Sequence, residues 1–233
     1  MARLGHFAAL IVAGGALAYS AMLPLGNAAA QESASAVGSG IQRTEACVLS
    51  NDEREAIDAA ATGDVAAMKP VGEARTLKDR LTFRAVEPGV DLSGLTFNDG
   101  EGKPVTLGSL GDGPKLLNLW ATWCAPCRAE MPLLDELRET SGGAFEVVAL
   151  SVDAGDMEKS RAFLDEIGVD LPLYHDGTMR TFTGLRQADI AVGLPVTALV
   201  GRDGCVLAAM NGPAEWASPD ARALMDAAVA LGR

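Results

Sequence analysis

The stretch Trp123-Cys124-Ala125-Pro126-Cys127 constrains this chain more than any other. It follows an apolar run, Leu116 to Trp120, and opens a helix-like stretch, Arg128 to Glu139. That order predicts a strand delivering two cysteines to the first turn of a helix. A helix N-terminus carries unpaired backbone N–H groups and partial positive charge, and both favour a thiolate over a thiol. Cys124 stands nearest that end, so its pKa should fall and it should be the attacking nucleophile. Cys127, one turn on, is placed to resolve a mixed disulfide. Pro126 suits the first turn, where a missing N–H costs nothing. The competing reading is half of a metal site. Zinc needs four ligands, yet there is no second CxxC and the nearest histidine is His175. Covalent haem attachment would need a histidine after the second cysteine, where Arg128 stands. A redox pair with no metal and no cofactor is therefore the expectation.

Leu119-Trp120-Ala121-Thr122-Trp123-Cys124-Ala125-Pro126-Cys127-Arg128-Ala129-Glu130-Met131-Pro132 resembles the thioredoxin-like proteins of bacterial envelopes, the TlpA/ResA/CcmG group. The resemblance spans about Leu92 to Leu231 and is nearest to membrane-anchored TlpA-like thiol:disulfide interchange proteins. It implies an α/β thioredoxin-like fold: a central mixed β-sheet flanked by helices, an N-terminal β-hairpin, an α/β insertion and a helical N-terminal extension.

Length and charge fit that picture. A chain of 233 residues has room for one domain of ~150 residues plus an extension. The balance of 31 Asp+Glu against 19 Lys+Arg makes nucleic acid an unsuitable partner. Residues 1–30 read as a signal anchor or signal peptide. Arg3 precedes an apolar, uncharged stretch over residues 7–26, long enough to span a bilayer. Ala28-Ala29-Ala30 offers a cleavage site before Gln31, whereas the resemblance favours an uncleaved anchor. Either way the following domain is expected on the periplasmic side of the inner membrane. Residues 31–46 begin Ser/Ala/Gly-rich and read as a flexible tether. Residues 47–85 read as a helical extension. Ser50 or Asn51 caps a helix through Ile57 to about Ala61, and Val65 to Met68 forms a further turn ending at Pro70. These segments are too short to stand alone and should dock on the domain at 86–233.

Four cysteines in an exported chain suggest two pairs, leaving Cys47 and Cys205. Two unrelated buried thiols are the alternative. The resemblance favours a structural disulfide, since TlpA-like proteins carry a second one. Within the domain, Leu95 to Leu107 reads as a hairpin around Asn98-Asp99-Gly100-Glu101-Gly102. Leu116 to Trp120 is a central strand, and Pro132 should kink the helix that follows. Phe145 to Ser151 is a buried strand, and Asp156 to Ile167 a helix stopped by Gly168. Leu171 to Tyr174 is a short strand and Thr178 to Leu185 a short helix. Val196 to Val200 pairs with Cys205 to Met210 through Asp203-Gly204. Ser218 caps a last helix to Leu231, with Pro219 at its first position.

Around the cysteines the resemblance adds roles. Pro195, in Gly193-Leu194-Pro195-Val196-Thr197, is similar in position to the cis-proline that faces the CxxC in thioredoxin folds. It would keep a backbone N–H away from the sulfurs and block metal capture. Leu194 would offer its backbone to an extended client strand. Trp123, Ala125 and Pro126 complete the candidate client-contacting set; a plain core tryptophan is the alternative for Trp123. Glu130 matches a functional acid of the group, expected to modulate cysteine reactivity; otherwise it is a first-turn glutamate complementing the helix dipole. Asn118 stands where thioredoxin has a buried aspartate, so any general base must be another group, with Glu130 the candidate. His175 reads as a surface loop residue. Asp153, Asp156 and Glu158 read as a solvated helix start.

The expected activity is thiol–disulfide exchange, mainly as a reductase, recharged by a membrane donor of the DsbD/CcdA type. Implied clients are haem-site cysteines of apocytochrome c, a Sco-type copper chaperone, or the copper subunit of cytochrome oxidase. Rivals are a DsbA-type oxidase, a peroxiredoxin-type peroxidase (Ala121 stands where that chemistry wants threonine) and a Sco-type copper-binding module using His175.

Overall fold

A computed structural model describes residues 40–62 and 89–233. The readings of residues 1–39 and of the turn at Val65 to Met68 lie outside these. In chain order the described elements are β1 (Gln42–Arg43), α1 (Asn51–Thr62), β2 (Val90–Asp91), β3 (Thr96–Asn98), β4 (Pro104–Thr106), β5 (Lys115–Trp120), α2 (Ala125–Thr140), β6 (Glu146–Ser151), α3 (Glu158–Ile167), β7 (Tyr174–His175), α4 (Arg180–Gln187), β8 (Val196–Val200), β9 (Val206–Asn211) and α5 (Pro219–Leu231).

Seven strands form one sheet in the order β4-β3-β7-β6-β5-β8-β9. β5, β6 and β7 run parallel, joined through α2 and α3 as two βαβ crossovers, while β8 and β9 return antiparallel on the other flank. Every residue of β5 and β8 is buried. Successive side chains of a strand point to opposite faces, so this sheet is covered on both. Trp120, Leu117, Leu119, Met131, Leu134 and Trp216 belong to the core so enclosed. The thioredoxin-like α/β architecture with hairpin and α/β insertion is thus present. The inserted strand is Tyr174–His175 rather than Leu171 to Tyr174, because pairing to Leu150 and Ser151 of β6 selects those two residues.

Within the stretch read as a tether, residues 40–46 are folded. Gln42 and Arg43 pair with Asp91 and Val90, Thr44 N–H donates to Gly89 C=O at 2.9 Å, and Ile41 is buried. One apolar side chain and one short ladder are enough to order a segment that its composition leaves undecided. Gly40 and Gly94 meet so closely that a Cβ on Gly40, at φ +71°, would lie 1.8 Å from the Gly94 carbonyl oxygen. Cys47 and Cys205 form a disulfide across 158 residues of sequence. α1 begins with a reciprocal cap: Ser50 N–H donates to Glu53 and Glu53 N–H to Ser50 Oγ. The helix then packs against α5, with Ile57 fully buried.

Candidate active site

β5 ends at Trp120, and four residues later Cys124 is the N-cap of α2, with Pro126 in the first turn. Cys124 and Cys127 are disulfide-bonded, and Cys127 N–H points at Cys124 Sγ at 3.3 Å. That N–H is one of the donors a helix start leaves unpaired, and it stabilises negative charge on the sulfur once the bond is reduced. Cys124 retains 6% exposure and Cys127 none, so only the first can meet a large reactant. Trp123 is 66% exposed, which removes the core-tryptophan alternative, and Ala125 is exposed beside it.

The register Leu119↔Val196 brings the start of β8 beside the end of β5. Leu194–Pro195, joined by a cis peptide bond, therefore lies at the strand end that leads into the cysteines. Leu194 is half-buried there. The loop before it is held by Asn211, whose Oδ1 accepts from Val192 N–H and whose Nδ2 donates to Ile190 C=O.

Glu130 is not a solvated dipole partner. It is fully buried one turn beyond Cys127 and accepts from Asn118 Nδ2 (2.6 Å), Trp216 Nε1 (3.1 Å) and Ala214 N–H (3.3 Å). Burial pushes its pKa up to about 8, against the pull of those donors. Asn118 Nδ2 also donates to Thr197 Oγ1, while its Oδ1 is buried without a hydrogen-bond partner. Trp216 joins this site from a loop far along the chain, and a tryptophan there carries no local signal of its partner.

Two residues are placed differently from expectation. His175 is buried on β7, not in a surface loop, and donates from Nε2 to Asp153 C=O at 2.9 Å. Asp156 and Glu158 are exposed, but Asp153 is buried two residues past the end of β6. Its carboxylate receives Thr122 N–H and Thr122 Oγ1–H, both at 2.9 Å, and the hydroxyls of Ser151 and Ser160. Alternating strands and loops hide such groupings, because the partners come from three separate elements.

A family model described as Redoxin matches residues 83–225. Among curated proteins, the chain is 36% identical over 95 residues to the thiol-disulfide oxidoreductase ResA of Oceanobacillus iheyensis, covering 40% of this chain and 44% of that one. It is 31% identical to ResA of Bacillus thuringiensis over 121 residues, covering 51% and 66%. The chain thus spans 44% to 66% of the length of these relatives. Among solved structures, a secreted thiol-disulfide isomerase of Corynebacterium glutamicum superposes with a TM-score of 0.52 at 20% identity, over 65% of this chain and 91% of that one, a likeness of fold.

Proposed function

Because the chain belongs to the Redoxin family, in its TlpA/ResA/CcmG thioredoxin-like group, we propose that it is a thiol–disulfide oxidoreductase working mainly as a reductase. The observation that carries this is the asymmetric pair at the start of α2: an accessible Cys124 facing a helix N–H, and an enclosed Cys127 bonded to it. Reduced Cys124, as thiolate, attacks one sulfur of a client disulfide and expels the other as a thiolate. Cys127 then attacks Cys124 Sγ, closing the intramolecular disulfide and releasing the client as a dithiol. Two electrons pass from the protein to the client. The raised pKa of Glu130, about 8, and its position one turn beyond Cys127 support this carboxyl as the group that exchanges a proton with Cys127 near neutrality. Trp123 and the Leu194 backbone flank the approach of an extended client segment.

The clients that fit are oxidised cysteine pairs of haem or copper sites: apocytochrome c, a Sco-type chaperone or the copper subunit of cytochrome oxidase. Relatives carrying the ResA name and the apolar leading stretch, read as an export signal, support that choice. The oxidised pair returns to the dithiol through a membrane donor of the DsbD/CcdA type. The periplasmic side of the inner membrane is the proposed location, with residues 7–26 as anchor. Among the described residues, no helix is long and apolar enough to cross a membrane. The test is the reduction potential of Cys124–Cys127 with Cys47–Cys205 left oxidised. A value below about −200 mV, toward thioredoxin's about −270 mV, supports a reductase; one near the about −120 mV of DsbA reverses the electron flow.

A further inference from the structure

The buried polar cluster behind the cysteines is not used by the exchange chemistry. Ser151 ends β6 and Asp153 follows it by two residues, Ser160 comes from α3, and His175 from β7. All four are nearly or fully enclosed, and each has a partner within the cluster. The group they converge on is Asp153, and it alone reaches Thr122, two residues before Cys124, accepting from its backbone N–H and its hydroxyl at once. The neighbouring backbone is tied down as well: Val152 N–H donates to Trp120 C=O, and Asp176 N–H to Ser151 C=O. On the same side Phe163 of α3 packs against Trp120, and the Arg128 guanidinium lies 4.9 Å over the Phe163 ring.

We propose that Asp153 is a positioning residue for Cys124, and that through Thr122 the inserted α3/β7 pair sets the turn that presents the attacking sulfur. The juxtaposition that carries this is a buried carboxylate holding both donors of the residue two before the nucleophile, while itself anchored to three elements. The Ser151 and Ser160 hydroxyls both go to Oδ2, leaving Oδ1 to the Thr122 hydroxyl, so the carboxylate is not satisfied by the serines alone. Gripping both donors of one residue removes the rotational freedom of the Thr122 peptide and side chain together. The turn from Thr122 to Cys124 then has one geometry, and the Cys127 N–H meets the sulfur it stabilises. The inference rests on Cys124 being the attacking thiol, as proposed above.

The experiment measures alkylation of reduced Cys124 by iodoacetamide in the full chain, with the label located by mass spectrometry. Insulin reduction is run alongside. Asp153→Ala is expected to slow alkylation about tenfold or more by freeing the turn. Asp153→Asn is expected to restore most of the rate. Its oxygen can serve Thr122 N–H and the serine hydroxyls, and its amide can donate to Thr122 Oγ1. Thr122→Val, which cuts the hydroxyl link at its half-exposed end, is expected to slow Cys124 by less. Its effect should not add to that of Asp153→Ala. A folded Asp153→Ala protein, with Cys47–Cys205 intact and Cys124–Cys127 reduced, that alkylates at the wild-type rate overturns the proposal. So does Asp153→Asn as slow as Asp153→Ala. If Asp153→Ala does not fold, a wild-type rate in Thr122→Val overturns it instead. Should the wild-type chain fail to reduce insulin, the functional reading falls while the alkylation comparison still stands.

Discussion

Glu130 is the residue whose environment differs most from that of an ordinary surface acid. In the folded chain it holds its proton up to about 8, and in the unfolded chain up to its ordinary 4.5. The folded state therefore binds the proton more tightly across that interval. The stability it contributes is complete below 4.5 and is lost as pH rises through 8. Urea unfolding of the oxidised protein from pH 5 to 9 should show this decline, and Glu130→Gln should flatten it. The amide substitution can be accommodated. Turned over, Asn118 presents its partnerless Oδ1 to the new N–H, while Trp216 and Ala214 keep donating to the remaining oxygen. Trp216→Phe removes one donor that favours the ionised form. It should raise the titration midpoint of the Glu130 side-chain carbon above the wild-type value, read by ¹³C NMR.

Among the elements, α2 and α5 begin by the same device for different purposes. Ser218 Oγ accepts from Ala221 N–H and Pro219 follows, so α5 gains a cap that serves stability alone. At α2 the capping atom is the Cys124 sulfur, so the same geometry becomes reactivity. Ser218→Ala should cost about 1 kcal/mol in chemical denaturation. It should leave Cys124 alkylation unchanged, since the Ser218 hydroxyl acts on the first turn of α5 itself. Pro132 stands inside α2 without ending it.

At the scale of the molecule, the extension carrying α1 is locked to Arg233, just beyond α5. Arg233 pairs with Glu53 of α1 (2.8 Å) and with Asp203 (3.0 Å), and donates to Ala46 C=O. The Ser50 N–H and then the Arg233 guanidinium hold the Glu53 carboxyl down to about 2. That contribution is present above Glu53's ordinary value of 4.5 and is lost as pH falls through about 2. The Cys47–Cys205 bond closes this same region across 158 residues. By the chain-entropy relation such a loop is worth up to about 5 kcal/mol. Replacing Cys47 and Cys205 together by serine should lower the thermal midpoint markedly while leaving the Cys124–Cys127 potential close to wild type. A large shift in potential would mean that the clamp reaches the active site.

Local pattern was enough for the CxxC at a helix start, the β5–α2–β6 unit and the Ser218 cap. Apolar period, capping residues and cysteine spacing all act over a few neighbouring positions. Family resemblance added the partner of Cys47 and the site of Pro195, neither of which spacing alone could settle. Tertiary structure alone decided the rest. Glu130 sits in an exposed-looking helical pattern, but the sheet, Asn118 and a distant Trp216 close over it, and desolvation rather than sequence position sets its proton affinity. Asp153 and His175 look like surface polar residues because each is judged among its neighbours in the chain. They are buried because β6, α3 and β7 converge behind the cysteine turn, where every polar atom must find a partner from another element. Short-range order is written in the chain, whereas burial and long-range pairing arise only once the chain has closed on itself.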